Sequence, residues 1–149
     1  MSSFAAEVAK RFDFLVRDHG FAPVERSGPS AGEMAIYRKD PIDLMIGWYK
    51  GEIDLTFSVA LDYAASHKIF RPYLSRTFGL YEIATRQDPA AYASLSARMR
   101  PLGFVTNVDI AAAYLDESAK IMKRFARPIL DGDLALLEKI TLARQGKTA

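Results

Sequence analysis

The chain has 149 residues, 20 of them Lys or Arg against 18 Asp or Glu, a formal net charge of +2, half its residues hydrophobic and no cysteine. That length predicts one domain, 1–149, with a core large enough to need no staple. The missing cysteine excludes disulfides, thiol nucleophiles and thiolate metal sites, and the near-neutral charge argues against a strongly basic nucleic-acid-binding surface.

The first residues, MSSFAAEVAKRFDFLV, are interrupted by Glu7 and Asp13 and do not pattern as a targeting segment. No apolar run approaches the roughly 20 residues of a membrane helix. The expectation is a soluble cytoplasmic protein with no membrane partner. A single asparagine, Asn107, amid abundant alanine suggests a GC-rich bacterial source.

Ser3–His19 predicts an amphipathic helix, with Phe4, Val8, Phe12, Leu15 and Val16 on one face. Ser2 or Ser3 is placed to cap its start and Gly20 its end. Phe21–Arg26 reads as a short edge strand, because Pro23 cannot donate to a central ladder. Ser27–Gly32 is a loop.

Glu33–Leu61 predicts three antiparallel strands. In Glu52–Leu61 the odd positions Ile53, Leu55, Phe57, Val59 and Leu61 are apolar and the even ones polar or small, the period-2 pattern of a half-buried strand. A Lys50-Gly51 loop pairs Tyr49 with Glu52 and sets Trp48, Ile46, Leu44 and Ile42 opposite Ile53, Leu55, Phe57 and Val59. A one-residue slip would place each beside a polar partner, so this register is strongly specified. For the preceding turn, Pro41 cannot take the positive φ of a type I′ loop. A three-residue loop, Lys39-Asp40-Pro41, is therefore predicted, pairing Arg38 with Ile42. The second sheet face then carries Tyr37, Asp43, Met45, Tyr49, Glu52, Asp54 and Thr56.

Asp62–Ile69 is ambiguous and Arg71–Phe78 reads as a short helix closed by Gly79. Leu80–Arg86 fits either a strand fragment or a continuing helix. Asp88-Pro89 starts a helix with Tyr92, Leu95, Met99 and Leu102 on one side, closed or kinked by Pro101 and Gly103. Thr106 or Asn107 caps the longest helix, whose inward stripe is Val108, Ala111, Leu115, Met122, Phe125 and Ile129, and which Pro128 kinks or ends a turn early. A last helix over Asp133–Arg144 presents Leu134, Leu137 and Ile140, and the tail QGKTA frays. The fold class is α+β: an N-terminal helix, an antiparallel meander of three to four strands, then three to four C-terminal helices packed on one face of the sheet.

Common nucleotide, zinc-protease and hydrolase motifs do not occur in the sequence, and no catalytic residue, metal site or cofactor is predicted. Three surfaces remain as candidates. His67, Arg71, Tyr73 and Arg76 form the densest cluster of binding groups, suited to an anion beside a titratable imidazole. Lys120, Lys123, Arg124 and Arg127 follow i, i+3, i+4, i+7 along one helix face, a stripe that can grip phosphates and equally a solvated face. Tyr37, Asp43, Met45, Tyr49 and Asp54 mix aromatic, thioether and acid, resembling a contact surface more than a reaction centre. His19 reads as a helix-end residue favoured by the C-terminal dipole.

The leading expectation is a non-enzymatic protein-binding module with a protein partner or a second copy of itself. Bacterial immunity or antidote proteins belong to that broad class, although no motif selects them. The alternatives are a small-molecule binder or enzyme around His67, Arg71, Tyr73 and Arg76, and a weak nucleic-acid binder using the basic stripe.

Overall fold

In the computed structural model, which describes residues 3–24, 33–67, 77–97 and 102–146, two short helices stand where the sequence predicts one. Helix α1 (Phe4–Arg11) starts at Ser3, whose Oγ accepts from the Ala6 N–H at 3.1 Å. Phe12 leaves helical geometry, and α2 (Asp13–His19) follows, ending at Gly20 with φ +75°. The break re-phases the apolar stripe. Phe14 is buried in place of Val16, which lies exposed, and the Phe12 ring is fully enclosed.

Five strands form one antiparallel sheet in the order β1 (Ala22–Val24), β2 (Met34–Lys39), β3 (Ile42–Tyr49), β4 (Glu52–Val59), β5 (Thr77–Gly79). The β3–β4 pairing is the predicted one at every position from Ile42↔Val59 to Tyr49↔Glu52. Lys50 and Gly51 have φ +49° and +81°, the two positive angles that a type I′ turn requires. Ile42, Leu44, Ile46, Ile53, Leu55, Phe57 and Val59 are all buried on one face. Enclosing each such side chain contributes about 1.5–3 kcal/mol relative to exposure.

The β2–β3 register differs from expectation by one residue. The loop has two residues, Asp40 and cis Pro41, and Lys39 rather than Arg38 pairs with Ile42. The shift reverses the faces of β2. Tyr37, predicted on the second face, points inward opposite Leu44 and is only 5% exposed. Arg38 instead lies opposite Asp43, and its guanidinium makes two hydrogen bonds to that carboxylate, at 2.7 and 3.1 Å. Burying Tyr37 while setting opposite charges across the outer face favours this register over the predicted one.

The edges also depart from expectation. The predicted first strand shortens to β1, with Pro23 on the sheet edge where its missing N–H is harmless. The predicted helix ending at Gly79 is replaced, over its described residues, by β5, in which fully buried Phe78 pairs with Phe57. Gly79 is extended (φ −68°) and leads directly into α4 (Leu80–Gln87), settling that segment as helix. The ambiguous stretch after β4 forms α3 (Leu61–Ser66).

Asp88 Oδ1 accepts from the Ala91 N–H at 3.0 Å and starts α5 (Pro89–Ser96). Met99 and Pro101 lie outside the described residues, as does the side chain of Leu95. Asn107 caps α6 (Val108–Phe125), its Oδ1 accepting from Ile110 N–H at 2.9 Å. Pro128 ends that helix early and occupies the first turn of α7 (Arg127–Leu130), and α8 (Ala135–Arg144) completes the fold. The predicted inward residues Ala111, Leu115, Met122, Phe125, Ile129, Leu134, Leu137 and Ile140 are buried, while Val108 is half-buried. Helices α1 and α4 touch β2 and β4, and α6 packs against both helices. The fold is thus α+β, with helices on the apolar sheet face. Among the described residues no helix is long and apolar enough to cross a membrane.

Candidate functional site

The β3–β4 hairpin ends in a turn that is braced from outside. Val105 N–H donates to the Gly51 carbonyl at 2.9 Å, and the Trp48 indole N–H donates to the Val105 carbonyl at 3.1 Å. These two bonds pin the segment before α6 along the tip of β4. β5 pairs only with Thr56–Ser58, so the first half of β4 borders a gap between that segment, α4 and α6. The gap is a cleft of about 440 Å3, with Ile53, Tyr81 and Tyr114 in its walls, Phe104 above and Glu52 and Asp54 along the strand.

The aromatic wall is held by a chain of hydroxyls. Tyr81 O–H donates to the Tyr114 oxygen at 2.8 Å, and the hydroxyls of Tyr81 and fully buried Ser118 lie 3.1 Å apart. With the Tyr81 proton directed at Tyr114, Ser118 donates to Tyr81, and the Tyr114 proton remains available to the cleft. Burial, reinforced by Tyr114, drives the Tyr81 hydroxyl far above the ordinary tyrosine range. Burial also raises Tyr114, and the negative charges of Asp54 and Glu52 push it further the same way. Both rings therefore stay neutral and act as donors, not bases.

The two carboxylates differ from the acids that tie the helices of this fold together. Glu82, Asp116 and Asp131 are all in ion pairs with Arg or His. Among the described residues, Glu52 and Asp54 have no ion-pair or hydrogen-bond partner and no basic side chain lines the cleft. At i and i+2 of one strand they project from the same sheet face, about 7 Å apart along the chain. Asp54 also lines a smaller groove of about 150 Å3 on the outer sheet face, with Glu33, Met34, Met45, Gly47 and Tyr49.

Of the predicted contact surface, Met45, Tyr49 and Asp54 meet in this groove. Asp43 is tied to Arg38, and Tyr37 belongs to the core. Phe104, Tyr81 and Tyr114 were not singled out by the sequence. The Tyr114–Ser118 pair at i, i+4 on one helix is the signal that could have found the hydroxyl chain.

The other two predicted clusters are differently placed. His67 caps the end of α3, its ring stacked on Tyr63 with centroids 3.7 Å apart and its Nδ1 2.7 Å from the Tyr63 carbonyl. Arg71, Tyr73 and Arg76 lie outside the described residues. The neighbouring cleft is walled by Asp40, Pro41, Ala60, Asp62, Tyr63 and Ser66, with two acids and without His67.

Each residue of the basic stripe is engaged. Lys120 pairs with Glu117 at 3.2 Å, Lys123 sits 4.6 Å from the Phe14 ring centre, Arg124 lies over Phe125, and Arg127 faces Asp131 at 3.8 Å. Lys123 and Arg127 border a cleft of about 450 Å3 with Phe14, Asp18, His19 and Asp131. There the His19 Nδ1 is 2.9 Å from the Asp131 carboxylate, joining the end of α2 to the end of α7. His19 thus holds two helices together in addition to ending one.

The site and fold define an α+β protein with an aromatic, acid-edged cleft at one end of its sheet. Comparison with known proteins gives no match: no family model, no curated protein and no solved structure is similar to this chain.

Proposed function

We propose that the chain is a non-enzymatic protein-binding module whose contact surface is the tip of the β3–β4 hairpin. One observation carries this reading. Tyr49 and Phe104, 68% and 71% exposed, are the most exposed large hydrophobic side chains among the described residues, and both lie at this turn. Phe104 packs so closely over the turn that a Cβ placed on Gly51 would lie 3.0 Å from its ring. Exposed aromatic anchors beside a concavity, edged by polar groups, are the usual composition of a protein-binding hot spot. The cleft and the outer groove meet at Asp54, so one partner segment can reach both. The cleft's tyrosines, held protonated, favour binding over proton abstraction.

Selection of displayed peptides against the wild-type protein tests the reading. Selected peptides are expected to lose at least tenfold in affinity on Phe104→Ser or Tyr49→Ser, which follows from about 1.4 kcal/mol per anchor. A selection that yields no binder, or only peptides indifferent to both changes, overturns it.

A further inference from the structure

Resting on that reading, we infer that the cleft beside β4 seats an arginine side chain of the partner polypeptide. The lining fixes the chemistry of the occupant. Its charged walls are Glu52 and Asp54, both acidic and both without a partner among the described residues. Its remaining walls are largely aromatic or aliphatic, supplied by Ile53, Tyr81, Phe104 and Tyr114. A side chain that enters must therefore be a cation on a long apolar stem.

Two geometric points favour guanidinium over ammonium. The carboxylates stand on one face of the strand about two residues' rise apart, a span that suits a planar fork with several N–H donors better than a compact point charge. Aromatic walls suit the same group, since guanidinium is weakly hydrated and stacks on rings. The Tyr114 hydroxyl, fixed by Tyr81 at 2.8 Å, adds a pre-positioned donor for a carbonyl of the partner's backbone.

The neighbouring cation of the turn does not fill the place. Lys50, the turn residue, has its ammonium 5.3 Å from the Tyr49 ring centre and is not among the cleft's walls. Nor does the cleft between α2, α6 and α7 offer the same seat. Around His19 and Asp131, cations and carboxylates alternate and neutralise one another.

The experiment is an amide-resolved NMR titration of the full chain with four capped pentapeptides, Gly-Ser-Xaa-Ser-Gly, where Xaa is Arg, Lys, citrulline or Glu. The arginine peptide is expected to shift the amides of Gly51–Asp54, Phe104, Val105 and Tyr114. Citrulline, which keeps the shape without the charge, should bind at least tenfold more weakly, and lysine more weakly than arginine. Neutralising both carboxylates, Glu52→Gln with Asp54→Asn, should abolish the shifts while the thermal midpoint stays in place. Citrulline or lysine binding as well as arginine, shifts centred elsewhere, or full binding by the neutralised variant overturns the inference. Its failure can be separated from failure of the parent reading. Selected peptides that need Tyr49 and Phe104 but carry no arginine sink the arginine seat alone. Free argininamide binding as tightly as any selected peptide sinks the protein-binding reading alone.

Discussion

The cleft at the hairpin tip and the cleft between α2, α6 and α7 are nearly equal in size, about 440 and 450 Å3, yet their charges are disposed in opposite ways. In the second, His19 meets Asp131, Arg127 meets Asp131, and Lys123 rests on Phe14. The His19–Asp131 and Lys123–Phe14 contacts join separate helices, and all three are satisfied within the molecule. In the first, Tyr81 and Tyr114 are fixed by their own hydroxyl chain, and the two carboxylates have no partner among the described residues. Charge that is paired internally contributes to holding the fold; charge left unpaired beside a fixed apolar wall is available to a partner. The distinction matters more than the size of either hollow.

Perturbing each side in turn tests the distinction. The largest effect on folding is expected from Asp131→Ala, which removes the acceptor of His19 and the partner of Arg127 together. About 1–2 kcal/mol of stability should be lost, read by urea denaturation, with no change in peptide binding at the hairpin. An unaltered midpoint would mean that the α2–α7 link is ornamental.

A middle effect belongs to Tyr81→Phe, which cuts the hydroxyl chain behind the hairpin-tip cleft and should cost about 1 kcal/mol at neutral pH. This variant also has a pH signature. Burial raises the folded-state ionisation of Tyr81, so the unfolded chain loses that proton first as pH climbs past the ordinary tyrosine value of about 10. The wild type should therefore lose stability above that pH, and Tyr81→Phe should lose less. Parallel alkaline limbs would remove Tyr81 as their source. The smallest change in stability, within about 0.5 kcal/mol, is expected for the Glu52→Gln, Asp54→Asn pair, measured by the same denaturation. A loss of 2 kcal/mol or more would show that these carboxylates serve the fold and would erase the contrast between the clefts.

The parts of this structure legible in the sequence are those governed by strict period or by one residue's stereochemistry. The β3–β4 register followed from four apolar pairs and Gly51, and Ser3, Gly20, Asn107 and Pro128 marked helix ends as their backbone preferences require. The errors fell where two weak signals competed. At Asp40-Pro41 only one family of turns was excluded, and the choice between two- and three-residue loops decided which way Tyr37 pointed. Phe12 carried no breaker, so the interruption between α1 and α2 was hidden by a continuous apolar stripe. β5 is three residues long, too short for alternation to register. The acidic half of the candidate site was visible as the polar parity of β4. Its aromatic half comes from Tyr81, Phe104 and Tyr114, brought together from three separate segments, and pattern along a single segment cannot report such a meeting.

The short outer strands have a consequence for how this protein behaves in a crowded solution. A sheet grows by accepting another chain along its border, and long, flat, apolar borders invite such growth. Here one border is the three residues of β1 interrupted by Pro23, and the other is the three residues of β5. The stretch of β4 that β5 leaves uncovered is the one that carries Glu52 and Asp54. Two like charges along that stretch oppose the edge-to-edge approach of a second identical copy.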